Sequence, residues 1–214
     1  MAWSCRSWRD SDSVEQAAVN LLDYKPGDVL AFSGRGCISR GIRFCARGPI
    51  THVAEVVPCA RDPSSKPVLC EALMETGVTW TPIHKSLRST ARHGGYCWHY
   101  PLAKPLDGIQ IERLWFTADH IRGTPYDFSD AWGARTLGFG WLRHLVGRCG
   151  WLHEYLDNGK LFCSEAVAIM HNAVGLTSFA YPSHWAPTSI VRWERRHGIL
   201  AEPILRARPG KVLW

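Results

Sequence analysis

The sequence predicts an α+β fold in which an antiparallel sheet packs against helices. Short apolar runs bounded by Gly, Pro, Asp and Ser dominate residues 26 to 100, and longer stretches with apolar residues at helical spacing follow from residue 107 onward. Strands grouped ahead of helices, instead of alternating with them, argue against a doubly wound sheet. At 214 residues, 46% hydrophobic and 21% charged, the chain is long enough to bury one good core. With no internal repeat and no linker, a single domain over 1–214 is expected.

The elements follow in order. Residues 13 to 23 read as a short amphipathic helix with Val14, Ala18, Leu21 and Leu22 on one side. The turn Pro26-Gly27-Asp28 leads into a strand at Val29 to Phe32. The glycine-containing loop Ser33-Gly34-Arg35-Gly36 has only its glycines in common with a phosphate-cradling loop and reads as a mobile lip beside a cleft. Ile38, Ile42, Phe44 and Cys45 suggest a brief helix ending near Gly48-Pro49. A strand from Ile50 to Val57 stops at Pro58, and alternation puts His52, Ala54 and Val56 on one face. The run Val68 to Met74 reads as its antiparallel neighbour, with Glu71 inside it. A carboxylate in such surroundings is costly unless paired. Further strands are expected at Gly77 to Trp80 and Tyr96 to Tyr100. Asp107 is positioned to cap a helix carrying Ile111, Leu114, Trp115, Ala118 and Ile121, which stops at Gly123. Thr124 to Asp127 makes a turn, a second helical region covers 129 to 146, and a buried helix begins near Cys163, with Ala166, Ile169, Met170, Ala173 and Val174 at its spacing. VRWERRHGI reads as a solvated helix face, and residues 203 to 214 as a basic tail.

Composition narrows the classes of function. A formal charge of +6 allows an anionic partner without choosing one, and no zinc-finger, RRM or KH pattern turns the basic clusters into a specific nucleic-acid site. Eight cysteines scattered among apolar neighbours read as mainly reduced thiols. The N-terminus has no continuous apolar segment and carries early acids, and no run reaches the length of a membrane span, so a cytoplasmic protein is expected. His84, His93 and His99 read as ordinary hydrogen-bonding histidines. A zinc site from Cys149, His153, Cys163 and His144 lacks the paired spacing such sites use. No metal and no cofactor are expected.

Three isolated residues supply one chemistry. The first turn of a helix leaves backbone N–H groups unpaired and carries the positive end of the dipole, which favours thiolate over thiol at Cys163. A thiol nucleophile needs a base to take its proton and a third group to orient that base. His52 and Glu71, on adjacent strands and facing the same side, supply both types if the Cys163 helix packs across that sheet.

The segments THVAEVV around His52, CEAL around Glu71 followed by TGVTWTPI, the Pro125-Tyr126-Asp127 turn and LFCSEAV around Cys163 resemble the circularly permuted papain-like hydrolases of the NlpC/P60 superfamily, in particular the YiiX/YaeF-like amidase group. The order histidine, carboxylate, cysteine is that of the permuted group, and the resemblance covers roughly residues 26 to 187. It implies a permuted papain-like fold with His52 as base, Glu71 as orienting acid and Cys163 as nucleophile. Glu55 is a second acid nearby, turned away from the His52 face by alternation. Tyr126 and Asp127 either shape the substrate pocket, as the resemblance implies, or simply begin the next helix. The expected activity is a cysteine-dependent hydrolase acting on an amide, peptide or ester bond through an acyl-enzyme. The expected substrate is a peptide, cell-wall or acyl-lipid molecule, and the positive net charge admits an anionic one. The alternatives are an acyltransferase or lipid hydrolase similar to the lecithin:retinol acyltransferase group, and a non-catalytic binding module on the same fold.

Overall fold

The computed structural model describes residues 23–62, 65–126 and 161–213. The expected helices at 13 to 23 and 129 to 146, and Asp127, Cys149, His144 and His153, lie outside the described residues, apart from Asp23 at the end of the first helix.

Seven strands form one sheet: β1 (Val29–Ser33), β2 (His52–Pro58), β3 (Pro67–Leu73), β4 (Gly77–Thr81), β5 (Tyr96–Tyr100), β6 (Ile204–Arg208) and β7 (Lys211–Val212). Their order is β4-β3-β2-β1-β5-β6-β7, and every pair is antiparallel. The helices are α1 (Cys37–Ala46), α2 (Ile83–Arg92), α3 (Gly108–Ile121), α4 (Cys163–Ala173) and α5 (Pro187–Arg196). This is the α+β arrangement of an antiparallel sheet against helices.

Alternation along the strands sorts the core into two halves. Val53, Val57, Cys70 and Ala72 pack with Leu114 and Ala118 of α3, Ala166, Val167 and Met170 of α4, and Ile190 of α5. Leu30, Phe32, Ala54, Val56 and Leu69 point the other way and meet Ile83, Leu87 and Ala91 of α2. The sheet is therefore covered on both faces, which is why β1 and most of β2 are buried throughout instead of alternating between core and solvent.

Local chemistry accounts for the ends of the elements. Asp107 and Gln110 form a reciprocal capping box at the start of α3: the Gln110 N–H donates to Asp107 Oδ1 at 2.8 Å, and the Asp107 N–H donates to Gln110 Oε1 at 3.0 Å. A cap of this kind stabilises a helix by about 1 kcal/mol. The β3–β4 turn needs a glycine at Gly77, where φ is 70° and an added Cβ would come within 2.2 Å of the Thr124 carbonyl oxygen.

One expectation is corrected. Residues 204 to 212 are not a tail: β6 and β7 extend the sheet beyond β5, and Arg206 is buried, its guanidinium over the Tyr24 ring and 3.4 Å from Asp23 Oδ2. The expectation of mainly reduced thiols meets one exception. Cys37, Cys70, Cys97 and Cys163 are free, but Cys59, directly after β2, is disulfide-bonded. Among the described residues, no helix is long and apolar enough to cross a membrane.

Candidate active site

His52 opens β2, so its ring stands at the end of the sheet and keeps 23% of its side-chain surface exposed. The register pairs β2 with β3 through Glu55 and Cys70, which puts Glu71 opposite Ala54 and diagonal to His52 on the same face. Side chains so placed are within reach across the strands. The His52 Nε2–H donates to Glu71 Oε2 at 3.2 Å. The other carboxylate oxygen accepts from Ser86 Oγ of α2 at 3.0 Å, and Thr81 adds a further hydrogen bond from β4.

Cys163 is the first residue of α4, with 3% of its surface exposed. No side chain caps this helix; the Phe162 carbonyl accepts the first intrahelical bond, from the Ala166 N–H at 3.1 Å. The N–H groups of the first turn thus have no partner within the helix. The helix lies on the Val53–Val57 face and not, as the sequence suggests, on the face shared by His52, Ala54 and Val56. The sulfur reaches the imidazole because His52 is at the very end of its strand. Nε2 is engaged by Glu71, and the imidazole also hydrogen-bonds the Cys163 side chain.

The electrostatics follow from these neighbours. Burial opposes a positive charge on His52, but the Cys163 sulfur and the Glu71 carboxylate outweigh it and push the pKa up to about 10. Burial alone would also raise Glu71; its bonds to His52, Thr81 and Ser86 outweigh it and hold the carboxyl below the usual range. The remaining buried thiols behave differently. Cys70 and Cys97 are pushed up, first by burial and then by nearby carboxylates.

A cavity of about 350 Å³ opens beside His52 on the α2 side of the sheet. The Ser33–Gly36 loop forms one wall, as a lip beside a cleft would, and Ser89, Thr90, His93 and Gly95 form the opposite one. Tyr126 does not line it. That residue bridges to Leu161, two positions before the cysteine, and packs against the larger core.

A second histidine–carboxylate group was not foreseen. His171 of α4 lies between Glu194 of α5, with Nδ1 to Oε1 at 2.6 Å, and Glu55 of β2, with Nε2 to Oε1 at 3.5 Å. All three are fully buried. Alternation turns Glu55 to this face as expected, but VRWERR reads as a solvated helix, and nothing local marks Glu194 as its buried position. His99 is likewise an internal structural residue, its Nε2–H donating to Asp28 Oδ2 at 2.8 Å.

No protein-family model matches this chain, and no curated protein matches it. Among solved structures, it is similar to one described as metalloprotein yiiX from Escherichia coli O157:H7, DUF1105, at 18% identity and a TM-score of 0.52, over 85% of this chain and 88% of that one. At this identity the likeness is one of fold.

Proposed function

We propose that the chain is a cysteine-dependent hydrolase of the permuted papain-like, NlpC/P60 type, cleaving an amide, peptide or ester bond. The observation that supports this is the position of His52, set between the sulfur at a helix start and a carboxylate with hydrogen bonds of its own. In this reading His52 takes the Cys163 proton and the thiolate attacks the acyl carbon. The imidazolium then gives its proton to the leaving amine or alcohol as the C–N or C–O bond breaks, and water hydrolyses the thioester with His52 as base. Uncapped N–H groups at the start of α4 stabilise the tetrahedral oxyanion, and Glu71 holds the ring toward the sulfur.

A metal-dependent reading, prompted by the description of yiiX, fits the described residues poorly. At His171 the two ring nitrogens face different carboxylates, Glu194 at Nδ1 and Glu55 at Nε2, so the donors do not converge on a point. No group of three or more His, Cys, Asp or Glu among the described residues is arranged to hold a metal ion.

The test is to incubate the purified chain with cell-wall and lipid fractions and weigh it by intact-protein mass spectrometry. An acyl adduct on Cys163, and loss of turnover in Cys163→Ala with an unchanged melting temperature, is the expected result. Release of the acyl group to an added alcohol or amine in preference to water would make the enzyme an acyltransferase. Turnover at the wild-type rate by Cys163→Ala would end the thiol mechanism.

A further inference from the structure

The cavity beside His52 has walls that the thiol chemistry does not use. It contains no carboxylate: its polar lining is the hydroxyls of Ser33, Ser39, Thr51, Ser89 and Thr90, together with Arg35 and His93. Arg35 has no carboxylate partner among the described residues, and its side chain lies over Gly94, where an added Cβ would sit 3.2 Å from its Cδ. Gly94 has φ 73° and Gly95 packs so closely that a Cβ would come within 2.7 Å of the Ser33 carbonyl oxygen. The two glycines let the Ser33–Gly36 loop press against the α2–β5 turn, with the exposed Arg35 side chain lining the cavity beside that turn. On the loop's other side Arg43 Nη1 donates to the Gly34 carbonyl at 2.9 Å, which holds the loop in place.

His93 is oriented as well. Its Nδ1–H donates to the Ser89 carbonyl at 2.7 Å, so Nε2 is the edge left free. The start of α1 at Gly36, which also lines the cavity and has no side-chain cap, adds the positive end of a helix to the same space. Volume and polarity bear on the occupant. About 350 Å³ is at the small end for ligand pockets, which suits a compact head group and not an acyl chain.

We propose that this cavity is a subsite for an oxyanion, a carboxylate or phosphate, gripped by Arg35 and His93. Calling the anion part of the substrate rests on the hydrolase reading above; the binding itself does not. Because His52 lines the same cavity, a molecule anchored there by its anion places a neighbouring acyl bond at the imidazole edge.

The experiment is an NMR titration of the ¹⁵N-labelled chain with inorganic phosphate and, separately, with acetate, at constant ionic strength in chloride. Saturable shifts at the Gly34, Arg35, Gly94 and Gly95 amides are expected, weakened about tenfold in Arg35→Ala, whose charge-assisted contact is lost, and less in His93→Gln. Arg61→Ala, which removes an exposed arginine paired with Glu112, should leave them unchanged. Saturation by phosphate alone identifies a phosphate-bearing ligand, and by acetate alone a carboxylate. Absence of saturable shifts, or equal weakening in Arg35→Ala and Arg61→Ala, overturns the subsite. Anion binding without any acyl adduct on Cys163 would keep the subsite and remove the hydrolase, and the reverse pattern would do the opposite.

Discussion

β2 and α4 meet at two histidine–carboxylate groups, and the pair invites comparison. His52 and Glu55 are three residues apart on the strand, about 10 Å. Cys163 and His171 are eight apart on the helix, about 12 Å. Matched spacings let the two elements touch twice, sulfur on imidazole at the end of the sheet and imidazole on carboxylate deeper inside. The residue types are nearly the same, and their surroundings decide what each group does. His52 keeps an open edge beside a thiol; His171 is sealed from solvent between two acids. Burial of a histidine beside carboxylates does not by itself make a reactive site. The proposed hydrolase rests on the reachable ring next to the thiol.

Substitutions can break the two groups apart. The largest effect on folding is expected from Glu194→Ala, which removes the closest partner of His171 and leaves a buried charge poorly compensated. Stability should fall by about 3 kcal/mol or more, read by urea denaturation. Glu71→Gln should do the reverse, leaving the fold in place while costing roughly ten- to a thousandfold in kcat/KM, because an amide still orients the ring but cannot stabilise the imidazolium. Equal losses of stability in the two variants would mean that both clusters are structural.

The smallest effect sharpens the comparison through pH. Burial, with Glu194 and Asp28 adding to it and His171 opposing, pushes Glu55 from 4.5 up to about 8. Burial lowers His171, but Glu194 and Glu55 outweigh it and raise the ring from 6.5 to about 9. Both groups therefore hold protons in the folded chain that the unfolded chain has released. Their contribution is fully present below the unfolded pKa and declines as pH rises, between 4.5 and 8 for Glu55 and between 6.5 and 9 for His171, by on the order of 1 kcal/mol per pH unit for each proton. Glu55→Gln, isosteric with the protonated acid, should cost little at pH 5 and gain on the wild type as pH approaches 8. Melting temperatures of both proteins across that range check it; a constant difference between them would show that Glu55 does not titrate there.

Much of this arrangement was legible in the sequence where the signal was local. The alternation in THVAEVV separated His52 from Glu55, and Asp107 with Gly123 bounded α3 almost to the residue. What escaped depended on long-range packing. Ile83, Leu87 and Ala91 recur at helical spacing, yet the polar residues between them hid α2. Basic side chains masked the β6–β7 hairpin, because a buried Arg206 is legible only once Tyr24 and Asp23 are beside it. The proximity of sulfur and imidazole across opposite faces likewise followed from His52 ending its strand, which periodicity alone does not show.

The β6–β7 hairpin also governs how this side of the sheet meets other molecules. β7 is only two residues long, begins with an exposed lysine, and is followed by a Leu213 N–H that turns back to donate to the Arg206 carbonyl. So short and charged a border gives a passing strand few groups to pair with, and it protects the longer, more apolar β5 within from templating aggregation. A deletion that removes residues 204 to 213 should therefore be felt first as loss of solubility.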